Sequence, residues 1–315
     1  SSTGFSFAAL GALARLAADA DVVHYHFPWP FMDLAHFIAR IKKPTVVTYH
    51  SDIVRQKQLL RLYQPLKHRF LQSVDTIVAT SPNYLASSAV LDRYRDKTRI
   101  ITYGLDQATY PQPEPERLAK WRALVGERFF LFVGVLRYYK GLHILLDAVA
   151  NTDYPVVIVG AGPIEQELKA HAERLGLTHV LFVGALGDAD KVALLTLCYA
   201  LAFPSHLRSE AFGISLLEGA MYGKPMISSE IGTGTTYINI DGDTGLVVPP
   251  SDPQAFGEAM RRLWDEPEMA QAMGRRAAAR YEELFTAERM AASYAALYDE
   301  LVTRHAALAL AHAQV

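Results

Sequence analysis

The feature that most restricts this chain is a series of short runs dominated by apolar residues, with apolar side chains on both faces of the strands they would form. In the second half they fall at 129–134, 155–159, 180–183, 200–203, 225–228 and 245–248. In the first half they fall at 21–26, 44–50, 76–80 and 99–104. A strand that is apolar on both faces must be covered on both faces, which is the condition of a parallel sheet between two helical layers. Between the runs lie stretches of helical periodicity, at 5–18, 32–41, 53–73 with a break at Pro65, 214–222, 253–264, 267–283 and 287–309. Ser81-Pro82 is a favoured start for a further helix, a side-chain cap followed by a fixed φ. The expected fold class is therefore α/β, with doubly wound parallel sheets.

A chain of 315 residues accommodates two such sheets. Pro111, Pro113 and Pro115 interrupt both strand and helix, so the linker is expected there. The expected domains are 1–110, 111–286, and a helix over 287–315. A net charge of −2 carries no electrostatic footprint for nucleic acid. Cys198 is the single cysteine, which excludes an internal disulfide and reads as a buried thiol in a reducing compartment. No apolar run approaches the roughly 20 residues that span a bilayer, and no signal peptide is visible. The expected location is the cytoplasm, with any membrane contact peripheral.

The chemistry concentrates around Ser209-Glu210-Ala211-Phe212-Gly213-Ile214-Ser215-Leu216-Leu217-Glu218. A strand and a loop precede this stretch, and a helix follows it. First-turn N–H groups have no partner within their helix, so the amides of Phe212, Gly213, Ile214 and Ser215 can take an anion. Eight steps at about 100° per residue bring Glu218 to within roughly 80° of Glu210. Two carboxylates beside an anion site suit a phosphorylated, hydroxyl-rich ligand. The plainer alternative is an amphipathic helix with ordinary surface acids.

Other candidates lie where ligands of parallel sheets bind, beyond the carboxyl ends of strands. His24 and His26 share one face of a strand, and His50 ends the next. Gly134-Val135-Leu136-Arg137-Tyr138-Tyr139-Lys140 joins a strand to a helix start and carries two cations. Gly160-Ala161-Gly162 lacks the third glycine of a dinucleotide fingerprint. Asp188-Ala189-Asp190 reads as an N-cap or first-turn acid pair, and no residue cluster has metal-ligand spacing.

In combination, the E-x7-E stretch, Gly223-Lys224-Pro225 and Gly232-Thr233-Gly234 resemble the signature of retaining glycosyltransferases of the GT-B fold. The resemblance runs from about Asp21 to about Leu301. It implies two Rossmann-like domains facing across a cleft, with the last helix crossing back to the first domain. It implies a nucleotide-sugar donor in the second domain and no cofactor or metal. Glu218 would take the ribose hydroxyls and Glu210 the donor sugar. Lys140 and Arg137 would neutralise the diphosphate, although many members carry the arginine where this chain has Val135. Gly134, Gly184 and Leu186 would line the nucleotide. His50 resembles the histidine close to the reacting sugar, with His26 and Asp52 on the acceptor side. The family's opening strand and glycine-rich loop have no counterpart here, so further chain is expected ahead of Ser1.

Tyr25-His26-Phe27-Pro28-Trp29-Pro30, Thr48-Tyr49-His50-Ser51-Asp52 and Ile231-Gly232-Thr233-Gly234-Thr235 resemble bacterial enzymes of O-antigen mannan or rhamnan synthesis. The implied donor is GDP-mannose or GDP-rhamnose, and the implied acceptor is a lipid-linked saccharide. Two other readings stay open: a nucleotide-sugar epimerase of the same fold, and a donor-binding module without turnover. Residues 53–74 carry Arg55, Lys57, Arg61, Lys67 and Arg69 without an acid. That run is a candidate dock for an anionic membrane, where each such residue is worth about 1 kcal/mol.

Overall fold

The computed structural model describes residues 6–53 and 57–313 and, for residues 57–60, 312 and 313, the backbone alone. The chain forms two compact units, Ser1–Tyr103 with Glu288–Val315, and Gly104–Ala287.

The first unit runs α1 (Phe7–Asp19), β1 (Val23–Phe27), α2 (Pro30–Ile38), β2 (Thr45–Tyr49), α3 (Lys57–Ser73), β3 (Thr76–Ala79), α4 (Pro82–Ser87), α5 (Ala89–Asp92) and β4 (Thr98–Ile100). Its sheet is parallel in the order β1-β2-β3-β4. Every residue of β2 and β3 is buried, as two-sided apolar strands require. Ser81 caps α4, its hydroxyl accepting from the Tyr84 amide at 3.1 Å, with Pro82 in the first turn. The C-terminal helix (Ala287–Ala313) lays Leu297 and Leu301 against Val46, Val78 and Ile101 of this unit.

The second unit runs α6 (Pro115–Val125), β5 (Phe130–Val133), α7 (Leu142–Ala148), β6 (Val156–Val159), α8 (Glu165–Arg174), β7 (Val180–Gly184), α9 (Asp188–Leu197), β8 (Ala200–Phe203), α10 (Ile214–Met221), β9 (Met226–Ser229), α11 (Thr235–Ile238), β10 (Gly245–Val248), α12 (Pro253–Asp265) and α13 (Pro267–Leu284). Its sheet, β10-β9-β8-β5-β6-β7, is also parallel throughout. Phe130, Phe132 and Ile158 pack on one face with Leu145, Phe256 and Met260. The chain enters this unit at Gly104, ahead of the proline-rich segment. Leu105 is already tied to it, donating to the Phe285 carbonyl and accepting from the Ala287 amide, both at 2.9 Å. Pro115 then serves as the first residue of α6.

Two expectations about residues 53–73 are corrected. Pro65 does not interrupt the helix, since α3 passes through it. An interior proline costs about 3 kcal/mol, but tertiary packing outweighs local propensity. Here Phe70 and Leu71 are completely buried one turn later. Lys67 does not belong to a solvated basic face, because it is only 4% exposed. Burial pulls its pKa down, with the Asp52 carboxylate opposing. Arg61 is exposed, and Arg69 lies over the Phe37 ring at 5.0 Å. Arg55 and the side chain of Lys57 fall outside the described residues. No helix among the described residues is long and apolar enough to cross a membrane.

α2 and α3 meet through polar groups beneath the surface. Tyr63 donates to the Asp33 carboxylate, and Tyr25 and Ser73 bond the two ring nitrogens of His36 at 2.9 and 3.2 Å. Asp33 is 2% exposed, and burial pushes its carboxyl up to about 7, against the pull of the Tyr63 bond. The folded chain therefore holds a proton that the unfolded chain releases near pH 4. Its contribution is full at low pH and is lost as pH rises through 7. Asp33→Asn keeps the shape and cannot ionise. In urea unfolding, the variant is expected to gain stability relative to the parent between about pH 4 and 7. Parallel curves for the two proteins would show that Asp33 is already ionised at pH 5.

Candidate active site

In the second unit the strand order reverses once. From β5 the chain moves out to β6 and β7 on one side, then to β8, β9 and β10 on the other. The loops after the two strands at such a reversal separate, leaving a crevice at their carboxyl ends. Here those loops are 134–141 and 204–213. Gly141 sits at φ 71° with its α-carbon against the Pro204 carbonyl, a place no side chain could occupy. Gly213 sits at φ 96° immediately before α10, where an added Cβ would lie 3.1 Å from Leu216 and 3.3 Å from Phe203.

The two loops bring Lys140 and Glu210 together as an ion pair, with the residues 9% and 8% exposed. Ser205 donates to the same carboxylate at 3.2 Å, and the Lys140 ammonium lies 5.1 Å from the Phe203 ring centre. Gly134 donates to the Val159 carbonyl at 3.0 Å, and its α-carbon lies near the Lys140 stem. Arg137 is exposed on the same loop, its carbonyl accepting from the Lys140 amide at 2.9 Å.

Glu210 precedes α10, whereas Glu218 lies within it, so the two are not on one helix face. Glu218 is 5% exposed and accepts from Tyr110 at 3.1 Å and from Lys191 at 2.9 Å. A carboxylate offers about four acceptor positions, so capacity for hydroxyl donors remains. Lys191 also reaches Asp188 at 3.3 Å. Phe212 and Ser215 turn their side chains inward. The Phe212 ring meets Phe285 edge-on, and the Ser215 hydroxyl donates to the Val133 carbonyl at 2.7 Å. Ile214 is exposed at the helix start. Gly184, at φ 73°, pairs with Val159 at a register shift, and Leu186 follows it half-buried.

Asp188 and Asp190 open α9, behind Gly187 at the N-cap. Asp190 is engaged by Trp121 at 2.8 Å and Arg117 at 2.9 Å, which hold its carboxyl below the usual carboxylate range. Among the described residues, no group of three His, Cys, Asp or Glu could hold a metal ion.

The first unit gathers its histidines at the ends of β1 and β2. His26 Nδ1 and His50 Nε2 are 2.8 Å apart, and the other nitrogen of His50 bonds Tyr103. His24 bonds Tyr298 and Thr48, both at 2.7 Å, and Thr48 bonds Tyr294 at 2.7 Å. Burial, reinforced by the neighbouring imidazoles, pushes His24 and His50 down to about 4. Both rings are neutral at pH 7, so they exchange hydrogen bonds rather than supply fixed positive charge. The Asp52 carboxylate accepts from Tyr49 at 2.9 Å and Ser88 at 2.8 Å.

Sequence reasoning missed Lys191, Tyr110, Ser205, Tyr103, Tyr294 and Tyr298. Their partners lie on other elements, and no local spacing announces them. Lys191 alone had a sequence signal, one helical turn beyond Asp188.

These units define the fold class as GT-B, two parallel-sheet α/β units. A family model described as Glycosyl transferases group 1 matches residues 114–280, and one described as Glycosyltransferase Family 4 matches residues 1–109. The chain is 69% identical over 269 residues to D-rhamnosyltransferase WbpZ of Pseudomonas aeruginosa, covering 85% of this chain and 71% of that one. It is 57% identical over 267 residues to O-antigen chain mannosyltransferase C of Escherichia coli, covering 85% and 72%. Among solved structures it is similar to HepE of Anabaena in complex with UDP, with a TM-score of 0.76, 22% identity, and coverage of 92% of this chain and 82% of that one. Sucrose-phosphate synthase of Thermosynechococcus elongatus gives a TM-score of 0.80 at 23% identity, covering 94% and 77%. The chain belongs to the group 1 glycosyl transferases, and it is a glycosyltransferase enzyme.

Removing one partner of a buried pair strands the other charge, at a cost of about 3–5 kcal/mol. Lys140→Met and Glu210→Gln are each expected to lose stability on that scale, and the double variant to lose much less than their sum. Additive losses in urea unfolding would mean that the two side chains do not depend on each other.

Proposed function

We propose that this chain is a retaining hexosyltransferase that moves mannose or rhamnose from a GDP-sugar to a lipid-linked saccharide in O-antigen synthesis. The observation that carries the reading is the Lys140–Glu210 pair at the point where the strand order reverses. It puts a cation and an acceptor side by side at the carboxyl ends of β5 and β8, where ligands of such sheets bind. The relatives from Pseudomonas aeruginosa and Escherichia coli, a D-rhamnosyltransferase and an O-antigen chain mannosyltransferase, support the sugar and the pathway. The UDP held by HepE supports a nucleotide donor in this fold and leaves the base to the test below.

In this reading Glu218 accepts from the ribose hydroxyls and Glu210 from the donor sugar. Lys140, Arg137 and the first-turn amides at Phe212, Gly213, Ile214 and Ser215 meet the diphosphate. Gly134, Gly184 and Leu186 line the nucleotide without intruding on it. Negative charge accumulates on the leaving diphosphate as the glycosidic bond breaks, so donors already aimed at it lower the barrier. The sugar passes through an oxocarbenium-like state. The leaving phosphate takes the acceptor's proton, and no enzymic nucleophile is assigned. His50 stands close to the reacting sugar, with His26 and Asp52 on the acceptor side. His50, held down to about 4 by burial and by His26, is too weakly basic to take the acceptor's proton at pH 7. No cofactor or divalent ion is required, because the lysine, the arginine and the helix start supply the positive charge.

Calorimetry with GDP and UDP tests the donor. Tighter binding of GDP is expected, and Glu218→Ala should weaken it about 10- to 150-fold, the worth of a charged hydrogen bond. Unchanged affinity would remove Glu218 from the site. Activity should also survive EDTA. Loss restored only by Mn²⁺ or Mg²⁺ would reopen Asp188 and Asp190 as ligands.

A further inference from the structure

His206 follows β8 by three positions and is only 7% exposed. Both nitrogens are engaged. Nε2 lies 3.1 Å from the Tyr138 carbonyl oxygen, and Nδ1 lies 2.9 Å from the Ser251 hydroxyl. A carbonyl only accepts, so Nε2 carries the proton, and Nδ1 accepts from Ser251. Burial holds the ring below its ordinary pKa, in the neutral form that this pattern requires. Ser251 is placed for the task at φ 62°, a conformation that costs a non-glycine residue energy. The His206 amide donates to the next carbonyl, that of Tyr139, at 3.1 Å.

Two successive carbonyls of one loop are thus held by one residue of another. The ring itself is wedged edge-on against Tyr138 and His143, each with centres 5.1 Å away, and those two rings stack on each other. The grip falls between Arg137 and Lys140, the loop's two cations. Ser205, the residue before His206, donates to Glu210. One short segment therefore fixes the backbone that carries Lys140 and also the carboxylate that Lys140 meets.

We infer that His206 is a positioning residue for the donor phosphates: its Nε2–H and its amide lock the Tyr138–Tyr139 carbonyls, and so set where Lys140 and Arg137 present their charge. This rests on the donor reading above. The ring is the part that substitution can test. A glutamine can offer an N–H in place of Nε2–H, whereas a leucine fills the space with no donor and leaves the Tyr138 carbonyl with the Gly141 amide alone, at 3.1 Å.

Calorimetry with GDP on the full chain separates affinity from the fraction of competent protein, since it reads Kd and stoichiometry independently. His206→Leu is expected to raise Kd roughly tenfold at unchanged stoichiometry, with His206→Gln within about threefold of the parent. Ser251→Ala should give an intermediate loss, because it releases Nδ1 and with it the tautomer. A fall in stoichiometry with Kd unchanged would make His206 plain scaffold and overturn the inference. So would equal losses in the leucine and glutamine variants. Lys140→Met is the control for the donor reading. If it weakens GDP binding while His206→Leu does not, the positioning role alone fails. If neither variant moves Kd, or the parent binds neither GDP nor UDP, the donor reading fails with it.

Discussion

The second unit depends on a buried contact between opposite charges at the reversal of its sheet. Lys140 and Glu210 are seventy positions apart and belong to loops that share no helix or strand. Each alone would be an uncompensated charge out of water, and together they are tolerated. The requirement reaches outward. Gly141 must be bare where it meets Pro204, Ser205 must supply a hydroxyl, and Phe203 must present its ring. The architecture brings the loops together, but the electrostatics decide that these residues stand there.

The same logic separates the acids of this unit by what surrounds them. Glu210 and Glu218 are buried against cations and retain unused acceptor positions. Asp190 is fastened by Arg117 and Trp121 and serves the packing of α6 on α9. Asp188 is exposed at a helix start. Four carboxylates within one stretch of chain thus take different roles because their partners differ. In the first unit the histidines follow a parallel rule. They are gathered so closely that partial burial and the neighbouring imidazoles make His24 and His50 give up the charge histidine often carries.

Much of this was legible in the residues. Runs such as Val156-Val157-Ile158-Val159 admit only a two-sided strand, so the parallel sheets followed directly. Glycine and proline marked the helix ends at Pro82, Gly223 and Pro253. The stretch from Glu210 to Glu218 was recognisable because its loop and helix start are local. What was not legible is whatever depends on a partner distant in sequence. Lys67 looked like one more cation on a basic helix. Its burial is decided by packing that no local spacing announces, with the Asp52 carboxylate within electrostatic reach. Pro65 looked like a break, and only the burial of Phe70 and Leu71 explains why the helix goes on. Lys191 and Tyr110 reach Glu218 from two other elements, and His206 reaches a loop that precedes it by three strands.

The C-terminal helix has a consequence for how the molecule is made. Its leucines and tyrosines complete the unit that the first hundred residues begin, while the whole of the second unit lies between. During synthesis the sheet of the first unit is therefore without this covering layer until residues 287–313 follow the whole of the second unit. The intervening unit, continuous in sequence, can close as soon as its own residues emerge. The sheet of the first unit and this helix meet over contacts of very long sequence separation, which are the slow kind to form. Until residues 287–313 have been made, the second unit can be whole while the first still lacks its cover.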